Sequence, residues 1–130
     1  MTHVLTYFAF PGRALVARIC LGAAKVEYVN KTISFQELGP MKPSLPLGSV
    51  PILTLPNGRV VCQSGAINRY AASLANLYGS NAEERLLIEE VVCTAEELNN
   101  KCVDSNVTPC WTVRVVALFS GRRAIVEHRT

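Results

Sequence analysis

The chain contains no C-x-x-C pair and only two histidines, His3 and His128. Its five cysteines, Cys20, Cys62, Cys93, Cys102 and Cys110, are odd in number and fall at no zinc-ligand spacing. These gaps argue against a metal centre and against dithiol exchange. No apolar run is long enough to cross a membrane, and the N-terminus has no signal-peptide core. The expected location is therefore cytoplasmic, where a disulfide framework is not expected. Cys20 and Cys62 sit in apolar patterns and read as small core residues. The basic residues are scattered and not interleaved with aromatics, unlike a nucleic-acid surface. Neither nucleic acid nor membrane is an expected partner.

What the chain does have is apolar bulk: 49% of its 130 residues are hydrophobic, ample for one packed domain. Its net charge of +3 conceals a division. Residues 1–81 carry +5, residues 82–100 carry −5, and residues 101–130 carry +3. The first segment would suit a small anion, although scattered surface charge has the same appearance.

Helical and strand periodicities divide the first 81 residues. His3–Phe8 is an apolar run with strand propensity, closed by Ala9-Phe10-Pro11-Gly12. Arg13–Ala24 places Leu15, Val16, Ile19, Cys20 and Ala23 at helical spacing. Glu27–Ile33 reads as a second strand. Ser34-Phe35-Gln36-Glu37 resembles a capping box and opens a short helix. Pro40, Pro43 and Pro46 predict a loop after it. Two short apolar runs, Ile52–Leu55 and Arg59–Cys62, then flank Asn57-Gly58, which predicts a two-residue hairpin turn with positive φ. A helix follows, with Ala66, Ile67, Tyr70, Ala71 and Leu74 on one stripe and Ser64 as its expected N-cap. A helix start exposes backbone donors and favours a carboxylate. Capped helices without ligands are common, so this pattern alone leaves an anion site and a purely structural start both open.

The predicted fold class is α/β: strand, helix, strand, short helix, strand, strand, helix, closing as a mixed four-stranded sheet. A longer amphipathic helix is expected over residues 81–100, with Leu87, Ile88, Val91, Ala95 and Leu98 along one stripe. Glu83, Glu90 and Glu97 recur on another face, solvated or set against a basic partner. From Lys101 onward the composition turns basic and β-branched, and no helical stripe continues.

Four pieces of the chain, in order and at matching spacing, resemble the glutathione transferase family, sigma-like class. They are Leu5-Thr6-Tyr7-Phe8, Gly12-Arg13-Ala14, Leu45-Pro46-Leu47-Gly48-Ser49-Val50-Pro51-Ile52-Leu53, and Gln63-Ser64-Gly65-Ala66-Ile67-Asn68-Arg69-Tyr70. The resemblance covers residues 3–80 well and 81–100 loosely. It implies a thioredoxin-like N-terminal domain over 1–81, then the first helix of an incomplete all-α C-terminal region over 82–130, with 101–130 an atypical tail. It implies Tyr7 as the catalytic hydroxyl. It implies that Gln63 and Ser64 hold the γ-glutamyl carboxylate of glutathione, and that Val50 pairs with its cysteinyl backbone beside a cis-Pro51. Lys42 is implied at the glycyl carboxylate, Arg13 as electrostatic support, and Glu97 as an acidic group reaching the partner subunit's site in a homodimer. Glutathione is then the co-substrate and a small electrophile its partner, in conjugation or isomerisation. The alternative is a non-catalytic glutathione-binding or scaffold fragment.

Two departures stand out. The family often has Trp where Leu38 stands and Lys where Ser49 stands. Losing two donors at the glycyl end weakens binding by roughly 1–3 kcal/mol, with Lys42 compensating in part. Family members also carry a helical second domain longer than the first, whereas 49 residues follow position 81 here. A truncated, alternatively spliced or frame-shifted product is therefore expected.

Overall fold

Strand β1, His3–Phe8, runs from half-buried to fully buried along its length and forms the spine of the first unit. The computed structural model describes residues 1–104. They fall in two compact units, Met1–Gly79 and a second beginning at Ser80. In the first unit β1 leads through a 3-10 turn, Gly12–Ala14, into helix α1, Leu15–Ala23, then strand β2, Tyr28–Ile33. Helix α2, Phe35–Met41, and a second 3-10 turn, Lys42–Ser44, follow. Strands β3, Ile52–Thr54, and β4, Val60–Cys62, precede helix α3, Ser64–Leu74. The sheet order is β2-β1-β3-β4, with β1 and β2 parallel and the other pairings antiparallel. This is the mixed sheet of a thioredoxin-like domain, as the element order predicts.

The parallel pair explains α1: two parallel strands need a crossover, and a helix is the compact one. That helix and α3 pack together. Leu5, Leu21, Leu53 and Ile67 are fully buried, one each from β1, α1, β3 and α3. Burying such a side chain contributes about 1.5–3 kcal/mol, so these four tie two strands to two helices. Cys20 is buried in the same core, and burial pushes its thiol pKa up, which keeps it neutral. Cys62 is only half-buried, because it ends an edge strand, so its expected core placement is met in part.

Several local expectations change. The capping box at Ser34 forms in full: the Glu37 N–H donates to Ser34 Oγ at 3.2 Å and the Ser34 N–H to Glu37 Oε2 at 2.6 Å. That start is strong enough to carry α2 through Pro40, where the prolines predict a loop. The hairpin is not a two-residue turn. Gly58 has φ +85° and Asn57 is not among the positive-φ residues. The Gly58 N–H donates to Leu55 O at 2.9 Å and the Leu55 N–H to Arg59 O at 2.8 Å. Pro56 holds the second turn position, whose φ its ring presets, and the loop lengthens accordingly.

On α3 the buried face is Ile67, Asn68, Ala71 and Ala72: Ile67 and Ala71 of the expected stripe lie on it, whereas Ala66, Tyr70 and Leu74 are exposed. The Tyr70 hydroxyl instead lies 2.9 Å from His3 Nε2. In the second unit helix α4 spans Ala82–Asp104. Its start is secured by the Glu84 N–H donating to Asn81 Oδ1 at 3.0 Å and the Ser80 N–H donating to Glu84 Oε2 at 2.6 Å. It continues past Lys101 although no apolar stripe does, since each added residue gains one backbone bond once a helix is nucleated. Leu86, Leu87 and Val91 on it are exposed. The rest of the tail expected over 101–130 lies outside the described residues.

Candidate functional site

Sheet register gathers Tyr7, Val50, Pro51, Gln63 and Ser64 of the sequence-predicted residues at one end of the sheet. Thr6 of β1 pairs with Ile52 of β3, and Ile52 with Cys62 of β4. The next residue along each strand therefore brings Tyr7, Pro51 and Gln63 into line. Val50 and Ser64 are one step further on. β2 runs parallel to β1, with Phe8 opposite Ile33. The connection from Ile33 to Val50, which carries α2 and Lys42, thus starts and finishes at this same end.

Tyr7 is buried, 5% exposed. Its hydroxyl accepts the backbone N–H of Arg13 at 3.2 Å, which leaves the phenolic proton free to be donated elsewhere. Gly12 makes that approach possible. Its φ is +40°, and a Cβ there would stand 2.6 Å from the Tyr7 hydroxyl and 2.7 Å from the Phe10 ring. A side chain at this position is excluded by both conformation and space.

Around Tyr7 lies an aromatic group. Its ring centre is 5.1 Å from that of Phe8 and 5.6 Å from that of Phe10. Phe35 stacks on Phe8 at 4.3 Å. Phe8 is buried, while Phe10 and Phe35 are 44% and 69% exposed, so the group opens to solvent beside the hydroxyl. Arg18 from α1 reaches this group. Its guanidinium donates to Phe8 O at 2.8 Å, Phe10 O at 2.9 Å and Asn30 Oδ1 at 3.1 Å. Its central carbon is 5.8 Å from the Tyr7 ring centre.

The start of α3 differs from expectation. Ser64 is the first helical residue and Gln63 takes the cap position, with φ +76° and ψ 109°. No side chain caps this helix. The Gln63 carbonyl accepts the Ile67 N–H at 3.1 Å, closing the first turn. The backbone donors of that turn and the hydroxyl of Ser64, a half-buried residue, suit an anion better than a self-capped start would. The Val50–Pro51 peptide is cis, as the resemblance implies. Val50 packs half-buried against the core and Pro51 is buried. Lys42 is exposed at the junction of α2 and the second 3-10 turn, and a Cβ at Gly48, whose φ is +61°, would stand 3.8 Å from the Lys42 carbonyl oxygen. Arg13 is exposed in the 3-10 turn, which packs against α3. Glu97 is exposed on α4, in the second unit.

The sequence reading missed two residues. Arg18 is the sole charged residue in the apolar run of α1, which was a readable signal. Asn68, 6% exposed with its Oδ1 lacking a hydrogen-bond partner, sits where helical spacing offers no such warning.

Fold and site together define a thioredoxin-like domain with a tyrosine hydroxyl beside an open helix start. The family model for the glutathione S-transferase N-terminal domain matches residues 3–73. The chain belongs to the glutathione S-transferase family. It is 39% identical over 98 residues to glutathione S-transferase 3 of Caenorhabditis elegans, covering 75% of this chain and 47% of that protein. It is 34% identical over 95 residues to hematopoietic prostaglandin D synthase of Gallus gallus, covering 73% and 47%. Among solved structures, a sigma class glutathione transferase of Fasciola hepatica aligns with TM-score 0.73 and 30% identity, over 92% of this chain and 60% of that one. The chain spans about half the length of the curated relatives it matches.

Proposed function

We propose that the first unit binds glutathione and activates its thiol for attack on a small electrophile or for isomerisation. The observation that carries this reading is the Tyr7 hydroxyl, which accepts the Arg13 N–H and keeps its own proton for a sulfur anion. Only a thiolate attacks electrophiles well, and a free thiol has a pKa of about 8.5. Lowering that by about two units takes roughly 2.7 kcal/mol, and a hydrogen bond to a charged group supplies roughly 1.5–3. One tyrosine at the right place provides most of it.

The other roles follow from position. Gln63, Ser64 and the first turn of α3 take the γ-glutamyl carboxylate. The Val50 backbone, set by cis-Pro51, pairs with the cysteinyl segment. Lys42 takes the glycyl carboxylate and Arg13 adds positive potential. Glu97 serves the partner subunit's site in a homodimer. Residues 1–81 form the glutathione-binding domain in this reading and 82 onward opens a helical region; the location is cytosolic.

The test is retention on immobilised glutathione followed by conjugation of a generic aryl halide. In Tyr7→Phe, turnover should fall by about tenfold to a hundredfold while retention persists. Retention of the unaltered chain without turnover identifies a binding module, and no retention refutes the proposal.

A further inference from the structure

The Tyr7 hydroxyl is set by a segment that no regular structure holds. Ala9, Phe10 and Pro11 lie between the end of β1 and the 3-10 turn that supplies the Arg13 N–H. Pro11 has no N–H to donate. Two carbonyls flank this bend, Phe8 O and Phe10 O, and one guanidinium takes both, at 2.8 and 2.9 Å. The third bond, from Nε to Asn30 Oδ1 at 3.1 Å, ties the same group to β2. Arg18 is thus braced from α1 and β2 while it holds the chain on either side of Ala9. Its carbon lies 5.8 Å from the centre of the Tyr7 ring, so it also places a permanent positive charge near the phenol.

We infer that Arg18 is a positioning residue for thiol activation, clamping the Phe8–Phe10 bend so that the Arg13 N–H and the Tyr7 hydroxyl stay in register. The inference rests on Tyr7 being the thiol-activating hydroxyl. Arg18 touches neither thiol nor electrophile and acts through Tyr7. Arginine suits the role because its planar fork spans two acceptors. Lysine retains the charge but presents one ammonium, which cannot reproduce both bonds along with the Asn30 contact.

The experiment titrates the thiol of glutathione bound to the full chain by its ultraviolet thiolate absorbance. Affinity for S-methylglutathione, which has no thiol to ionise, is measured in parallel. Arg18→Gln and Arg18→Lys should each raise the bound thiol's pKa by about half a unit to one unit, with S-methylglutathione affinity within about twofold of the unaltered chain. Asn30→Ala, which leaves Arg18 in place, should shift the pKa in the same direction by less, and serves if the Arg18 variants do not fold. An unshifted thiol pKa in these variants, alongside a raised one in Tyr7→Phe, overturns the inference and leaves the Tyr7 reading intact. Equal losses of affinity for both ligands with no pKa shift also overturn it, as a purely structural role would produce them. An unshifted pKa in Tyr7→Phe refutes the Tyr7 reading itself, and this inference with it.

Discussion

Among the described residues, the first unit and helix α4 of the second use apolar residues in opposite ways. In the first, Leu5, Leu21, Leu53 and Ile67 are sealed from water by two strands and two helices. In the second, Leu86, Leu87 and Val91 on α4 are 69%, 57% and 46% exposed. Both units have sound local signals: a complete capping box opens α2, and Asn81 with Glu84 secures the start of α4. Local signals therefore start helices in both regions, while among the described residues it is in the first unit that apolar residues from distant parts of the chain are buried together. The site follows that difference. Its residues come from β1, the loop before β3, and the β4–α3 junction, and only an ordered sheet brings these together.

The contrast is broken most directly by truncating one leucine in each unit. Leu53→Ala should cost about 2–5 kcal/mol, read as a lower denaturant midpoint. Leu87→Ala should stay within about 0.5 kcal/mol. Equal losses would show that α4 has a core of its own. Gly12→Ala comes next. The side chain meets a left-handed φ and the Tyr7 hydroxyl, costing about 1–3 kcal/mol and displacing the phenol. Its thiol activation should fall along with its stability, whereas Leu53→Ala should lose stability alone at temperatures where it remains folded. Kinetics beside thermal melts would separate the two.

A smaller effect sharpens the comparison of helix starts. Ser34→Ala should cost about 1 kcal/mol, seen as faster amide exchange over α2. The Glu37 carboxyl is held below the usual carboxylate range, chiefly by the backbone N–H of Ser34 and then by its hydroxyl. A depressed folded pKa stabilises fully above the unfolded value, about 4.3, and that contribution disappears as pH falls through the folded value. Exchange at α2 should accelerate on acidification in that window, and Glu37→Gln should remove the dependence. A pH response unchanged in Glu37→Gln would place its origin elsewhere.

Much of the first unit was legible because its signals are short-ranged. The bounds of β1 follow from an apolar run ended by Pro11 and Gly12, and the start of α2 from serine and glutamate three apart. The hairpin turn differs from the two-residue expectation because Pro56 competes with Asn57-Gly58 for the central positions. The path of α2 through Pro40 departs from the expected loop because a strong cap outweighs one missing N–H in a short helix. Tyr7, Gln63 and Ser64 could be named from the resemblance. The cap at α3 was misassigned by one residue, since Gln63 adopts a positive φ that nothing in its side chain announces.

Composition, periodicity and capping patterns by themselves determined that residues 3–74 alternate between strands and helices and that charge divides near residue 81; they left the helix start after β4 open between an anion site and a structural start, and Tyr7 was named only by the resemblance. Those features depend on residues within a few positions of one another. Tertiary structure alone decided that Tyr7, Pro51 and Gln63 align across three strands, that Asn68 replaces Tyr70 on the buried face, and that Arg18 reaches Phe8, Phe10 and Asn30. Such contacts join residues far apart in the chain. Strand register and helix packing, both set by burial of the shared core, bring them within bonding distance.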